Sequence, residues 1–120
     1  MTKSSSKKKS VSILKIKEKD LQKTILDWLR WRKIFCWRNN SGAMVSEYKG
    51  KKRFMRFGLE GSPDIFAVKF GRIVGIEVKS PTGTMSEAQE KFKEEFEKAG
   101  GSYVLAKSLE DVEKFFTFIV

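Results

Sequence analysis

Gly61-Ser62-Pro63-Asp64-Ile65-Phe66-Ala67-Val68-Lys69-Phe70-Gly71-Arg72-Ile73-Val74-Gly75-Ile76-Glu77-Val78-Lys79 holds two short β-branched and aromatic runs joined at Phe70-Gly71-Arg72. Such runs around a glycine-bearing turn read as a β-hairpin. Side chains alternate along a strand, so Glu77 and Lys79 share a face. With Phe70-Gly71 as a two-residue loop, Lys69 pairs with Arg72, and counting outward sets Asp64 opposite Glu77. Directly opposed residues have Cβ atoms roughly 4.5–5.5 Å apart. Two carboxylates that close repel unless something cationic lies between them. A hard divalent ion such as Mg²⁺ is held by one or two carboxylates together with water and substrate phosphates. The hairpin therefore reads as a metal site with a lysine at its edge. The competing reading is a surface hairpin with an ordinary cross-strand ion pair.

Working outward, 120 residues suffice for one domain with a real core and not for two. A hydrophobic content of 40% beside 33% charged residues fits a globular chain rather than a disordered one. The formal net charge of +10 points to a polyanionic partner, nucleic acid first. An anionic membrane surface or an acidic protein would also suit that charge, but no basic amphipathic helix with a clean apolar face supports the membrane reading. The absence of histidine excludes His-ligated zinc, Ser-His and Cys-His pairs and any histidine base. The single Cys36 lies among Ile34, Phe35 and Trp37 and reads as a buried strand residue; one cysteine forms no intrachain disulfide, which fits a reducing cytoplasm. The lysine- and serine-rich N-terminus lacks the apolar stretch of a secretory signal.

Residues 1–10 read as a basic disordered tail, either tracking a phosphate backbone or merely solubilising, ahead of one folded domain at 11–120. From about Lys17 to Lys33, Leu21, Ile25 and Leu29 recur at helical spacing. Ile34 to Arg38 reads as a strand and Asn39 to Gly42 as a turn. Between Met44 and Phe57, Lys49, Lys51, Lys52, Arg53 and Arg56 are interleaved with Tyr48, Phe54 and Phe57, with Gly50-Lys51-Lys52 at a hairpin tip. Such a segment suits DNA, since cations neutralise phosphates and rings stack on unpaired bases; a solvated charged face is the plainer reading. After Lys79, Ser86 and Gln89 form a capping-box pattern opening a helix from Glu87 to Lys98. Ser102 to Ala106 is a short apolar strand, central or parallel to the Glu77 strand, and Ser108 caps a last helix bearing Phe115, Phe116 and Ile119.

Pro63-Asp64 followed by Glu77-Val78-Lys79 resembles the PD-(D/E)XK nuclease signature, and with Gly61 it is most similar to the VRR-NUC group, whose motif runs Gly-x-Pro-Asp, hairpin, Glu-Val-Lys. The resemblance spans about Glu18 to Val104 and is closest to the small stand-alone members of phage and bacterial origin. It implies an α/β fold with a restriction-endonuclease-like core, a central mixed β-sheet flanked by helices. It implies a metal-dependent DNA endonuclease in which Asp64, Glu77 and the backbone carbonyl of Val78 hold Mg²⁺ or Mn²⁺, and Lys79 orients water or offsets transition-state charge. Glu18, in a run similar to the group's first motif, either joins that site or is a solvated helix residue. Gln89 either caps its own helix or points into the site. Arg38 and Asn39, in a run similar to the group's Arg-x-Asn-Ser-Gly, contact phosphate or a partner subunit. Small members resemble Holliday-junction resolvases, which act as homodimers on four-way junctions. The expectation is a branched-DNA endonuclease, with a flap or less selective nuclease, or a non-catalytic DNA-binding module, as alternatives.

Overall fold

The structure, a computed structural model, describes the backbone of residues 3–39 and 42–118 and the side chains of residues 17–39, 45–54 and 58–118. The elements run α1 (Lys3–Trp31), β1 (Phe35–Arg38), β2 (Gly42–Tyr48), β3 (Lys51–Phe57), β4 (Ile65–Lys69), β5 (Arg72–Val78), α2 (Glu87–Lys98), β6 (Ser102–Ala106) and α3 (Leu109–Phe118). Four strands form a mixed sheet in the order β1-β4-β5-β6, antiparallel except for the β5–β6 pair, while β2 and β3 form a separate ribbon. This is the expected α/β arrangement of a restriction-endonuclease-like core.

The β4–β5 hairpin has the expected register, with Lys69 opposite Arg72 and Ile65 opposite Ile76. Phe70 and Gly71 have φ of 51° and 77°, the positive values that a two-residue hairpin turn of matching twist requires. The ribbon turns the same way at Lys49 and Gly50, so Lys51 and Lys52 belong to β3 rather than to the tip, a correction of the expected turn. β6 is parallel to β5 as expected, but it is an edge strand rather than a central one.

One face of the sheet carries the core. Ile25 and Leu29 of α1, and Val112 and Phe116 of α3, pack on Ile65, Ala67, Val74, Ile76, Val78, Val104 and Ala106, all at or near zero exposure. The i, i+4 spacing of Leu21, Ile25 and Leu29 explains that stripe. α1 closes in a Schellman motif: Ile34 N–H donates to Leu29 and Lys33 N–H to Arg30, with Lys33 in the left-handed region. The α1 backbone begins at Lys3, ahead of the helical stripe that the sequence shows from about Lys17. The expectations for the side chains of the basic tail, and those for Asn40, Ser41, the Arg56 side chain and Ile119, lie outside the described residues.

The other face is half covered. α2 lays Phe92 and Phe96 against Tyr103 and Phe66, with ring centroids 6.5 and 5.9 Å apart. Gly75 lies beneath this layer, against Phe66 and Phe96, and Glu77 shares its parity. Cys36 sits at the edge of the core, and burial pushes its thiol pKa up against the opposing pull of Arg30; it is a packing residue and not an activated nucleophile.

Candidate active site

The site assembles where the carboxyl end of β5 meets the loop entering β4. Asp64 directly precedes β4, and its Oδ2 accepts from the Val78 backbone N–H at 2.8 Å. That bond extends the hairpin ladder by one step and fixes the Asp64 carboxylate beside Glu77. Two neighbours hold the loop in place. Asn39 N–H donates to the Asp64 carbonyl at 2.8 Å, and its side-chain amide donates to Ser62 Oγ at 2.8 Å and the Pro63 carbonyl at 2.9 Å. Gly61, at φ 78°, passes so close to the start of α2 that a Cβ there would run into the Ala88 carbonyl. The glycine is required both by its backbone angle and by that approach.

Glu77 is the most perturbed of the described carboxyl groups. It stands in the fully buried part of β5 at 3% exposure. Its Oε1 accepts from Gln89 Nε2 at 3.2 Å and lies 4.0 Å from Lys79 Nζ. Its Oε2 is buried with no donor to it, so in the ionised form that oxygen is unsatisfied. Burial, then the charge of Asp64 and hydrogen bonding to it, push the Glu77 pKa up to about 8, with Lys79 opposing and Glu18 adding a smaller push. Without a cation, Glu77 is therefore mostly protonated at neutral pH.

Gln89 takes both roles that its position suggested. Its Oε1 accepts from the Ser86 N–H at 2.9 Å while its own N–H donates to Ser86 Oγ at 3.2 Å, a complete capping box, and its Nε2 is left to reach Glu77. Glu18 likewise leaves the solvent: its Oε1 accepts from the Ser80 N–H at 3.0 Å, tying α1 to the loop after Lys79. Asp64, Glu77, Val78, Lys79, Gln89 and Glu18 are thus brought together. Arg38 is exposed at the end of β1, and the Asn39 amide is engaged by the Asp64 loop. Lys49, Lys51, Lys52 and Arg53 line an open concavity of about 560 Å³ on the ribbon with Ser46 and Tyr48. Among the described residues the ribbon packs on no other element, so these cations stand apart from the carboxylates.

Tyr103 was not signalled as a site residue. Its hydroxyl is buried without a partner, and its pKa is raised by burial first and then by the Glu77 and Asp64 carboxylates. The signal available was parity: Tyr103 pairs with Gly75 in the parallel β5–β6 register, which puts it on the face of Glu77.

Asp64, Glu77 and Lys79 lie together as the hairpin register led one to expect, with Gln89 and Glu18 beside them. A family model described as the VRR-NUC domain matches residues 16–110. The chain belongs to the VRR-NUC family. No curated protein and no solved structure matches it. As a VRR-NUC domain it is of nuclease type, which fits its positive charge. Among its described residues no helix is long and apolar enough to cross a membrane.

The donor set suits a hard cation. Both carboxylates offer only oxygen, Glu77 Oε2 is bare and buried, and its raised pKa marks a position where a positive charge is wanted. Among the described residues no three His, Cys, Asp or Glu side chains form a complete cage. Two carboxylates with the remaining positions left to water and substrate is the usual arrangement for Mg²⁺.

Proposed function

We propose that this VRR-NUC domain is a divalent-metal-dependent DNA endonuclease acting on branched DNA, in the manner of a Holliday-junction resolvase. The observation that carries the nuclease reading is the Glu77 carboxyl, sequestered beside Asp64 with an oxygen that no protein group satisfies once the group is ionised. Burying a bare carboxyl oxygen costs several kcal/mol in general terms, a cost reasonable at a site completed by a ligand. Asp64, Glu77 and the Val78 carbonyl would hold Mg²⁺ or Mn²⁺. When bound, such an ion polarises the scissile phosphate and acidifies the attacking water.

The remaining work falls to the chain. Val78 N–H and Gln89 hold the two carboxylates in fixed rotamers, so no reorganisation is needed as substrate arrives. Lys79, whose side chain is 19% exposed, presents a positive charge from the rim to the phosphoryl oxygens as they gain charge. Glu18 anchors Ser80 and with it the backbone that carries Lys79. The basic ribbon, with exposed Tyr48 and Phe54, supplies a second DNA contact remote from the cut. A homodimer would present two active sites to two strands of a junction, matching its two-fold symmetry.

The test is cleavage of a labelled four-way junction beside flap and linear duplex DNA, with Mg²⁺, Mn²⁺ or EDTA, by the parent, Asp64→Ala and Lys79→Ala proteins. Paired symmetric nicks at the junction, abolished by EDTA and by either substitution, are expected. Cutting of flaps or plain duplex at equal rate discards the junction preference, and tight binding without cutting under either metal discards the enzyme.

A further inference from the structure

Next to the carboxylate pair lies a cavity of about 210 Å³ lined by Lys17, Lys79 and Lys107 together with Glu18, Leu21 and Pro81. Its position follows from the topology. β5 and β6 run parallel with Val78 opposite Ala106, and Lys79 N–H continues the ladder to the Ala106 carbonyl at 3.0 Å. Lys79 and Lys107 therefore leave adjacent strands side by side at their carboxyl ends, the edge where open α/β sheets receive ligands. Lys17 arrives from α1, whose next residue, Glu18, is bonded to Ser80.

Lys107 is held in position. Its N–H donates to Asp111 Oδ2 at 2.9 Å, and its ammonium donates to the Pro81 carbonyl at 3.2 Å across the cavity mouth. Three lysines thus line this space against one carboxylate, Glu18, whose Oε1 is already taken by the Ser80 N–H, while the Lys79 ammonium also lies 4.0 Å from Glu77 Oε1. Lys17 and Lys107 are exposed and Lys79 is half-buried, and convergent like charges of this kind favour an anion that joins them. The volume falls below the roughly 300–1,000 Å³ of sites that enclose a small organic ligand, and it suits a single phosphate group better than a whole nucleotide.

We propose that Lys17 and Lys107 bind the phosphate adjacent to the scissile one in the same DNA strand, with Lys79 common to both phosphates. This rests on the phosphodiesterase reading and adds to it the path of the cut strand: over the ends of β5 and β6, toward α1. The contact carries no base information; it fixes the strand so that the scissile phosphate meets Asp64 and Glu77.

Two measurements test it on the full chain. Binding of a fluorescein-labelled junction is titrated against salt in EDTA for the parent, Lys17→Ala, Lys107→Ala, Lys107→Arg and, as an equal charge change elsewhere, Lys114→Ala. Loss of one phosphate contact lowers the slope of log K against log salt by about 0.7–0.9; this is expected for Lys17→Ala and Lys107→Ala and not for Lys107→Arg or Lys114→Ala. Cleavage is then compared on substrates bearing one uncharged methylphosphonate 5′ or 3′ to the cut linkage. One of the two should lower kcat/KM for the parent by about tenfold, the scale of a charge-assisted contact, and by less than about twofold for Lys107→Ala, where that contact is already gone. Equal slopes for Lys107→Ala and Lys114→Ala overturn the proposal, as does an equal methylphosphonate penalty in parent and variant. If no protein cuts any substrate, the nuclease reading fails and the salt slopes alone decide the phosphate site.

Discussion

Glu77→Gln separates what the carboxylate pair costs the fold from what it does for the chemistry. Glu77 faces Asp64 from the loop before β4, Lys79 on its own strand, Glu18 from α1, Gln89 from α2 and Tyr103 from β6. Its pKa is about 8 in the folded chain against an ordinary 4.5. Between those values the folded state binds a proton that the unfolded state has lost, so stability falls as pH rises and levels off above about pH 8. At about 1.4 kcal/mol per pH unit the full span would amount to about 5 kcal/mol. Water entering the site relieves part of the burial and of the repulsion from Asp64, so a fall of about 2–4 kcal/mol is expected. Glutamine keeps the acceptor for Gln89 and replaces the bare Oε2 with an NH₂ beside Asp64, and it cannot titrate. Urea unfolding in EDTA at pH 5, 7 and 9 should find parent and variant within about 1 kcal/mol at pH 5 and the variant more stable by about 2–4 kcal/mol at pH 9. Adding Mn²⁺ should restore the parent at pH 9 and leave the variant unchanged, while the variant cuts no DNA. Parallel pH profiles for the two proteins, or a variant less stable at pH 9, would refute the account of a buried carboxyl held against its charge.

Gln89→Ala removes the cap and the Glu77 anchor at once; thermal unfolding should register a loss of about 1 kcal/mol, and cleavage should drop by about 10–100-fold. Gly61→Ala, strained by its φ of 78° and blocked by the Ala88 carbonyl, should destabilise by several kcal/mol on the order of other special-backbone losses and displace Asp64, read as lost cleavage even in molecules that remain folded. Phe70→Asn, at an exposed turn position with φ 51° where asparagine is favoured, should raise the unfolding free energy by about 0.5–1 kcal/mol without altering cleavage.

The hairpin was legible because its information is local. The length of the Phe70-Gly71 loop determines the register, and register with the two-residue alternation places Asp64 beside Glu77 without any long-range knowledge. The capping box at Ser86 and the helical stripe of α1 were legible for the same reason. The two-sided burial of β5 was half visible in the run Val74-Gly75-Ile76, where only glycine interrupts the apolar residues, although Ile73 just before it is exposed. What escaped depends on the return of distant chain. Whether Glu18 joined the site or faced solvent was undecidable until α1 was laid across the end of the sheet, and nothing near Lys107 marks it as a neighbour of Lys79 until β6 pairs with β5. Tyr103 lay in an ordinary apolar strand, and its link to Glu77 exists only through the parallel register. The ribbon tip was misplaced by one step because lysine tolerates φ 52° at position 49, a conformation that propensity assigns to asparagine or glycine.

Gln89 joins two tasks that most proteins keep separate. One end of its amide completes the α2 cap and the other restrains Glu77, so the helix cannot shift along the sheet without turning the carboxylate. Ala88, the residue before it, is also the one against which Gly61 rests, and Gly61 leads through Pro63 to Asp64. Both carboxylates are therefore indexed to the same helix terminus, from opposite sides. The sheet brings Asp64 and Glu77 together, and the start of α2 sets how they are held. The helix also lays Phe92 on Tyr103, the β6 ring that lies close enough to Glu77 to feel its charge, and so helps to exclude water from that face. Removing Phe92 by Phe92→Ala should therefore lower the pKa of Glu77 as water enters, flattening the pH dependence of stability even though the substitution touches neither carboxylate.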